Sequence, residues 1–170
     1  NLNGNTLVAK PGAGNLVCRT GITSCSLNDF DNVEVIAQWD TSVAGYPLSI
    51  WGDYLQNTSA TTSYDTAMTA GFMIGKASNP GTWELGYQYQ KAEKDSQYGL
   101  WYDSDFAGGN TDGDGSVFRF AYAFAKNWRL NATYMLNKLN NDVGASIAGV
   151  GTSVRDVDYK RLQLDLNYTF

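Results

Sequence analysis

The last ten residues of the chain alternate strictly between apolar and polar side chains. A period of two predicts a β-strand that has one apolar and one polar face. The apolar set continues to the final aromatic residue, whereas chain ends in water are usually frayed and polar. We therefore expect this strand to meet a partner other than water. The apolar set is Leu162, Leu164, Leu166, Tyr168 and Phe170, and the polar set is Arg161, Gln163, Asp165, Asn167 and Thr169.

Charged residues are scarce for a chain of 170 residues. Asp, Glu, Lys and Arg make up 17% of the sequence, against roughly 25% in soluble globular domains. No segment approaches the ~18 consecutive apolar residues of a membrane-spanning helix. The mean hydropathy is -0.33, a value that strands of alternating polarity give even in membrane barrels. The net charge of -5 argues against a nucleic acid partner, which favours basic grooves.

Six more segments of about ten residues show the same alternation. At ~3.3 Å per residue and a tilt near 40°, such strands cover ~25 Å, the height of the apolar band of an outer-membrane barrel. Residues 5–10 add a weak first strand, and residues 11–31 are expected to form a long loop. Residues 1–170 are thus predicted to be one domain, with clear strands over residues 32–170. The six segments are 33–40, 46–56, 66–76, 82–92, 116–125 and 128–138.

The connections between the predicted strands alternate between short and long. In outer-membrane barrels the short turns are periplasmic and the long loops are extracellular. The chain is therefore predicted to be an all-β transmembrane barrel of the antiparallel up-and-down type, with about eight strands. Its C-terminus is predicted to be periplasmic. The short connections are 41–45, 77–81 and 126–127, and the long ones are 11–31, 57–65, 93–115 and 139–156.

Aromatic residues on the apolar face are sorted by their position along the strands. Two belts of Trp and Tyr around an aliphatic band are typical of a bilayer with two interfaces. We therefore expect this face to contact lipid, and a soluble barrel with the apolar face inward is the alternative. Near the short turns lie Trp39, Trp83, Trp128, Tyr168 and Phe170, and toward the long loops lie Tyr54, Tyr89 and Tyr134.

The opposite face carries short neutral polar groups and a few charges of both signs. This composition predicts the lining of a narrow lumen, in which the acidic residues are offset by arginines. The charges would also create a transverse field that orders permeating solutes. The predicted lining residues are Glu34, Gln38, Asp53, Glu84, Gln88, Arg119, Arg129, Asn131, Arg161, Gln163 and Asp165.

Four segments, at residues 47–57, 86–95, 125–134 and 158–166, resemble the C-terminal part of a family of bacterial porins. The resemblance covers roughly residues 32–170. It implies an outer-membrane diffusion channel of Gram-negative bacteria without catalytic residues. Because members of that family are usually longer, the alternative is that this chain is the C-terminal portion of a barrel of roughly 16 strands.

The two barrel sizes imply different functions. The interior of an eight-stranded barrel is largely filled by side chains, whereas open aqueous pores have around sixteen strands. Trp51, Met73 and Met135 would crowd a small lumen. The leading hypothesis is passive diffusion of small hydrophilic solutes or ions, and the alternative is a plugged structural or adhesive barrel that displays its loops.

The sequence contains no His, the commonest general base and metal ligand. It therefore predicts no enzyme activity, cofactor or resident metal. Asn110, Asp112 and Asp114 precede Gly115 as in a calcium loop, but Ala121 occupies the position of the bidentate Glu, which favours a solvated turn.

The expected partners are outer-membrane lipid and lipopolysaccharide on the outside and small hydrophilic solutes inside, and a homo-oligomer remains open. Cys18 and Cys25 are predicted to form a disulfide, and two free thiols are the alternative.

Overall fold

The computed structural model describes residues 14–15, 17–20, 23–26, 28–140 and 157–170, and this part of the chain is all-β. A short hairpin, β1 (Val17–Thr20) and β2 (Thr23–Ser26), forms a sheet of its own. The other seven strands form one antiparallel sheet in chain order. They are β3 (Asn32–Val43), β4 (Tyr46–Asn57), β5 (Thr66–Gly75), β6 (Trp83–Ala92), β7 (Gly113–Ala125), β8 (Trp128–Leu139) and β9 (Val157–Tyr168).

The helical content of the described residues is one 3-10 turn, Gly99–Trp101. None of the helices described is long and apolar enough to cross a membrane.

The structure confirms the all-β class, the seven clear strands and their up-and-down order. The predicted loop 11–31 is partly wrong, because it contains the β1–β2 hairpin, whose short polar strands show no apolar alternation. Strand β7 begins at Gly113, three residues earlier than predicted. The weak strand 5–10 and residues 141–156 of the last loop lie outside the described residues.

Cross-strand pairing places apolar residues beside apolar residues across the whole sheet. One row of paired residues contains seven apolar side chains, one from each strand. We call the side of the sheet that carries this row the apolar face and the opposite side the polar face. The row on the apolar face is Trp39, Ile50, Phe72, Tyr87, Phe118, Tyr134 and Leu162.

The short connections are tight turns at one end of the sheet. Between β3 and β4, Ala44 and Gly45 have φ of 51° and 82°, a pair of positive values that matches the right-handed twist of a hairpin. Between β7 and β8, Asn127 has φ of 68°, a conformation that Asn tolerates better than most residues. We call this end of the sheet the short-turn end and the opposite end the long-loop end.

The sheet has two open edges within the described residues. Strand β3 pairs with β4 alone, and β9 pairs with β8 alone. Closure into a barrel therefore stays a prediction, as does the number of strands.

Close packing on the polar face depends on a glycine in β5. A Cβ atom at Gly71 would lie 2.6 Å from the carbonyl oxygen of Tyr87 and 2.7 Å from Cζ2 of Trp51. The indole of Trp51 therefore lies over the bare backbone of the neighbouring strand. This arrangement lets a large side chain lie flat on the polar face.

We predict that Gly71→Ala lowers the free energy of unfolding by about 1–3 kcal/mol, because the added methyl forces Trp51 and the β6 backbone to shift. Urea unfolding of the protein in detergent or lipid vesicles measures this change. Gly52→Ala is the matched control, since the nearest atom to its added Cβ is 3.9 Å away. Equal effects of the two substitutions would contradict this packing.

Candidate functional site

The two faces of the sheet differ sharply in exposure over β7 and β8, whereas both faces are exposed on the edge strand β3. On the apolar face, Trp39, Leu164 and Phe120 are 63%, 65% and 42% exposed. On the polar face, Val117 and Met135 are 2% and 6% exposed. A soluble barrel would show the opposite arrangement, with the apolar side chains covered.

The cover of the polar face is the segment between β6 and β7, residues 93–112, which we call the folded loop. Its side chains Phe106 and Ala107 are fully buried and pack against Val117 and Met135. The ring of Tyr102 meets the ring of Phe106 edge-on at 6.1 Å. The folded loop thus has its own small apolar core on the otherwise polar side of the sheet.

The part of the folded loop around Asp105, which we call its tip, is attached to the edge strand β9 through the carboxylate of Asp105. Arg161 Nη1 lies 2.7 Å from Asp105 Oδ1, and Gln163 Nε2 donates a 2.7 Å hydrogen bond to Asp105 Oδ2. Gln163 is paired with Thr133, the sixth of the twelve residues of β8. The folded loop therefore reaches half-way along the sheet.

The two ends of the folded loop meet at Lys94 and Asp112, which we call its neck. A buried ion pair joins these two residues. Lys94 Nζ lies 2.7 Å from Asp112 Oδ2, and the two side chains are 1% and 5% exposed. The hydroxyl of Thr111 also donates to the carbonyl oxygen of Lys94. Breaking a buried pair by removing one partner typically costs about 3–5 kcal/mol. The two ends of the loop are therefore held together firmly.

Three buried asparagines connect this neck to the other segments at the long-loop end. Asn15 donates to the carbonyl oxygens of Lys94 and Gln97. Asn28 donates to the carboxylate of Asp95, and Asn57 donates to the carbonyl oxygen of Asp95. Buried polar groups that are hydrogen-bonded in this way rigidify a structure. We call these residues the asparagine network.

Two ionisable groups of the folded loop have shifted pKa values. Burial raises the pKa of Tyr102 well above its ordinary value, so the phenol is neutral. Burial also raises the pKa of Glu93, but hydrogen bonds from Thr66 and Lys91 outweigh it and hold this pKa below its ordinary value of 4.5. Glu93 therefore joins the loop to the start of β5 as a carboxylate.

The predicted lining residues all lie on the polar face, and two of them form an ion pair with each other. Glu84 pairs with Arg129 at 2.9 Å, and Arg129 also donates to Asn131. Arg119 donates to Gln88. Arg161 pairs with Asp105 of the folded loop rather than with a carboxylate of the wall. Gln38 lies beside Asp40 on β3, and Asp165 lies opposite Asn131.

Two acids at the β3–β4 end of the polar face lie next to each other. Glu34 and Asp53 line the same small cavity, and Asp53 Oδ1 is buried without a hydrogen-bond partner. Within the described residues no Lys or Arg forms an ion pair with either acid. Negative charge therefore gathers on β3 and β4, and the three arginines gather on β7, β8 and β9.

The predicted belt residues lie on the apolar face, and several of their rings touch. The rings of Trp128 and Tyr168 pack at a tilt with centroids 4.8 Å apart, and Tyr168 contacts Phe170 at 6.0 Å. Trp83 contacts the ring of Tyr46. Tyr54 is exposed, whereas Tyr89 is partly buried and donates to Asp114.

The two aromatic belts lie at different depths along the membrane normal only if the strands are tilted from that normal. Trp39 and Tyr134 belong to the same row of paired residues, although they were assigned to opposite belts. In a barrel with a strand tilt near 40°, five strand spacings along such a row separate two residues by ~15 Å in height. The two-belt prediction therefore requires the tilt of a barrel.

A charged row lies on the apolar face beyond the tyrosines, at the long-loop end. It runs Lys91, Asp114, Lys138 and Asp158 through successive pairs. Lys138 lies 3.7 Å from Asp114. Asp114 and Asp112 therefore bind different partners on opposite sides of the chain, whereas the ligands of a calcium loop point toward one ion.

The two cysteines are directly opposite each other in the β1–β2 hairpin, where Cys18 pairs with Cys25. The Cα atoms of such antiparallel pairs are about 4.5–5.5 Å apart, within the range that a disulfide spans. The disulfide remains a prediction.

The sequence interpretation missed the residues that fasten the folded loop. Asp105, Lys94 and Asn15 lie in segments without periodicity, and their partners are distant in sequence. The one signal in the sequence was two consecutive apolar residues, Phe106 and Ala107, within an Asp- and Gly-rich loop.

We predict that ionised Glu93 stabilises the fold above its ordinary pKa and that this contribution is lost as pH falls through its lower folded pKa. The difference in unfolding free energy between the wild type and Glu93→Gln is expected to be constant above about pH 5 and to shrink below about pH 4.5. Urea titrations at several pH values measure it. A difference that does not vary with pH would contradict the role of the carboxylate.

Compared with protein-family models, curated proteins and solved structures, the chain has no significant match.

Proposed function

We propose that this chain forms the wall of an outer-membrane β-barrel through which small hydrophilic solutes or ions diffuse passively. The observation that carries the proposal is the contrast between the two faces of the sheet. The apolar face is bare over all seven strands, and the polar face carries a folded loop. A sheet of this kind fits a cylinder with lipid outside and water inside.

The bare apolar face supports a membrane location. Monomeric soluble proteins rarely expose a contiguous apolar patch larger than about 300–600 Å². Here, exposed Trp, Leu, Ile, Phe and Val side chains continue from β3 to β9. A bilayer covers such a surface without a protein partner, and it explains the Trp and Tyr at the two ends of the strands.

The charged row supports a defined orientation in the outer membrane. Lys91 and Lys138 of this row, together with Lys160 in the neighbouring row, extend from the apolar face at the long-loop end. At that height they would meet the phosphates of lipid and lipopolysaccharide. The long loops are then extracellular, and the short turns and Phe170 are periplasmic.

The position of the folded loop supports a channel with a constriction. The loop crosses the polar face at mid-height near β9, where Asp105 pairs with Arg161. The acids Glu34 and Asp53 lie on β3 and β4, whereas Arg119 and Arg161 lie on β7 and β9. Opposite charges on two sides of a narrow passage order polar solutes and exclude apolar ones. No chemical step is required, in keeping with a sequence that lacks His.

We predict that the purified protein gives stepwise conductance in planar lipid bilayers. Asp105→Ala is expected to change the conductance of each step about two-fold, because the tip of the folded loop loses both bonds to β9 while its neck stays attached. Asp158→Ala is the matched control, since it removes an exposed carboxylate from the apolar face.

A silent protein that still forms a heat-resistant barrel would contradict the channel and support the plugged structural or adhesive barrel instead. Extraction from membranes without detergent would contradict the membrane location altogether. An unchanged conductance in Asp105→Ala would place the constriction elsewhere.

A further inference from the structure

A tryptophan of the folded loop is exposed on the side of the sheet that the proposed barrel turns toward water. Trp101 is 71% exposed, and the preceding Leu100 is 44% exposed. We infer that the indole of Trp101 is a stacking platform for the ring of a neutral saccharide. This inference rests on the proposed function, because it names the class of solute that the channel would take.

The neighbouring residue shows in which direction Trp101 points. Tyr102 packs against the apolar core beneath the folded loop, and its hydroxyl accepts a hydrogen bond from Gln90 of β6. Tyr102 therefore faces the sheet. Trp101 is the adjacent residue, and most of its surface is exposed. Its ring therefore projects from the opposite side of the loop, into the aqueous space of the proposed barrel, where lipid does not cover it.

The turn that carries Trp101 is ordered without a solute. Asn15 donates to the carbonyl oxygen of Gln97 at 2.8 Å and accepts from the N–H of Gly99 at 2.7 Å. The N–H of Trp101 donates to the carbonyl oxygen of Tyr98 and closes the 3-10 turn. The rings of Tyr98 and Trp101 are 5.5 Å apart at an angle of 83°. A site ordered in advance loses less entropy when a ligand binds.

The surroundings of the indole favour a ligand with one apolar face and a polar edge. Leu100 adds apolar surface beside the ring, and the next polar residues of the loop, Asp103 and Ser104, are exposed. Ligand sites typically combine aromatic surface with a few polar groups that fix orientation. A pyranose ring matches this combination, since C–H groups occupy its face and hydroxyls its edge. A hydrated inorganic ion has no apolar face to place on the indole.

An organic cation is the main competitor for an exposed tryptophan, because it is attracted to the face of the indole. Proteins that recognise such cations use a cage of several aromatic faces. Here the ring of Tyr98 stands at 83° to the indole, and the other neighbour is the aliphatic Leu100. The carboxylate of Asp103 also accepts a hydrogen bond from the N–H of Asp105. One open aromatic face of this kind favours a neutral ring.

A platform that is open to water suits a channel. Conduction requires that a solute binds well enough to enter and weakly enough to leave. A sugar ring on Trp101 would keep water on its other face, so we expect a dissociation constant in the millimolar range. The platform would then favour saccharides during passage without trapping them.

Magnetisation transfer from the aromatic protons of the protein to maltotriose, measured by nuclear magnetic resonance, tests the platform. The protein is refolded in an amine oxide detergent, which has no sugar head group. We expect transfer to the sugar C–H protons, and we expect Trp101→Leu to reduce it about five-fold or more while Trp101→Phe retains part of it. Trp39→Leu is the matched control, since that ring is 63% exposed but lies on the apolar face, where detergent covers it.

Three results would overturn the inference: no transfer to maltotriose, equal loss in Trp101→Leu and Trp39→Leu, or stronger transfer to tetramethylammonium than to maltotriose. Urea unfolding of Trp101→Leu with the wild-type midpoint would show that its loss of transfer is local. Bilayer conductance separates this inference from the proposed function. A conducting protein that does not bind maltotriose would overturn the platform alone, and a silent protein that binds it at Trp101 would overturn the channel alone.

Discussion

The structure depends on cross-strand register that keeps seven strands in phase. One row of paired residues is apolar on all seven strands, from Trp39 on β3 to Leu162 on β9. Since side chains alternate with a period of two, a slip of one residue in any pair would move every apolar side chain of that strand to the other face. Tight turns at Gly45 and Asn127 help to fix the register.

The folded loop is held with unequal strength at its two ends. At the neck, Lys94 and Asp112 are buried, and the asparagine network surrounds them. At the tip, Arg161 and Asp105 are 48% and 34% exposed, and ion pairs that are open to solvent typically contribute about 1 kcal/mol or less. Because the neck is rigid and the tip is weakly held, a change in the passage would begin at the tip.

The sheet was predictable from sequence, and the site was predictable only in part. Period-two alternation is a local signal, so the bounds of β4 and β6 agree with expectation to within one residue. The same signal placed the predicted lining residues together on the polar face. The partners of Arg161 could not be predicted, because Asp105 lies 56 residues away in a segment that folds back onto the sheet. The β1–β2 hairpin was missed, because its strands are too short and too polar to give a periodic signal.

The proposed barrel requires lipid to cover the apolar face, and spin-label accessibility along β9 tests this most directly. The measurement compares, for single spin labels, the collision rate with oxygen, which concentrates in lipid, and with a water-soluble nickel complex. The labelled positions are Leu162, Gln163, Leu164, Asp165 and Leu166. We predict a period of two, in which the labels at the three leucines collide with oxygen and those at Gln163 and Asp165 collide with the nickel complex or are shielded by the folded loop. High nickel accessibility at Leu162, Leu164 and Leu166 would show that this face meets water and would contradict the account.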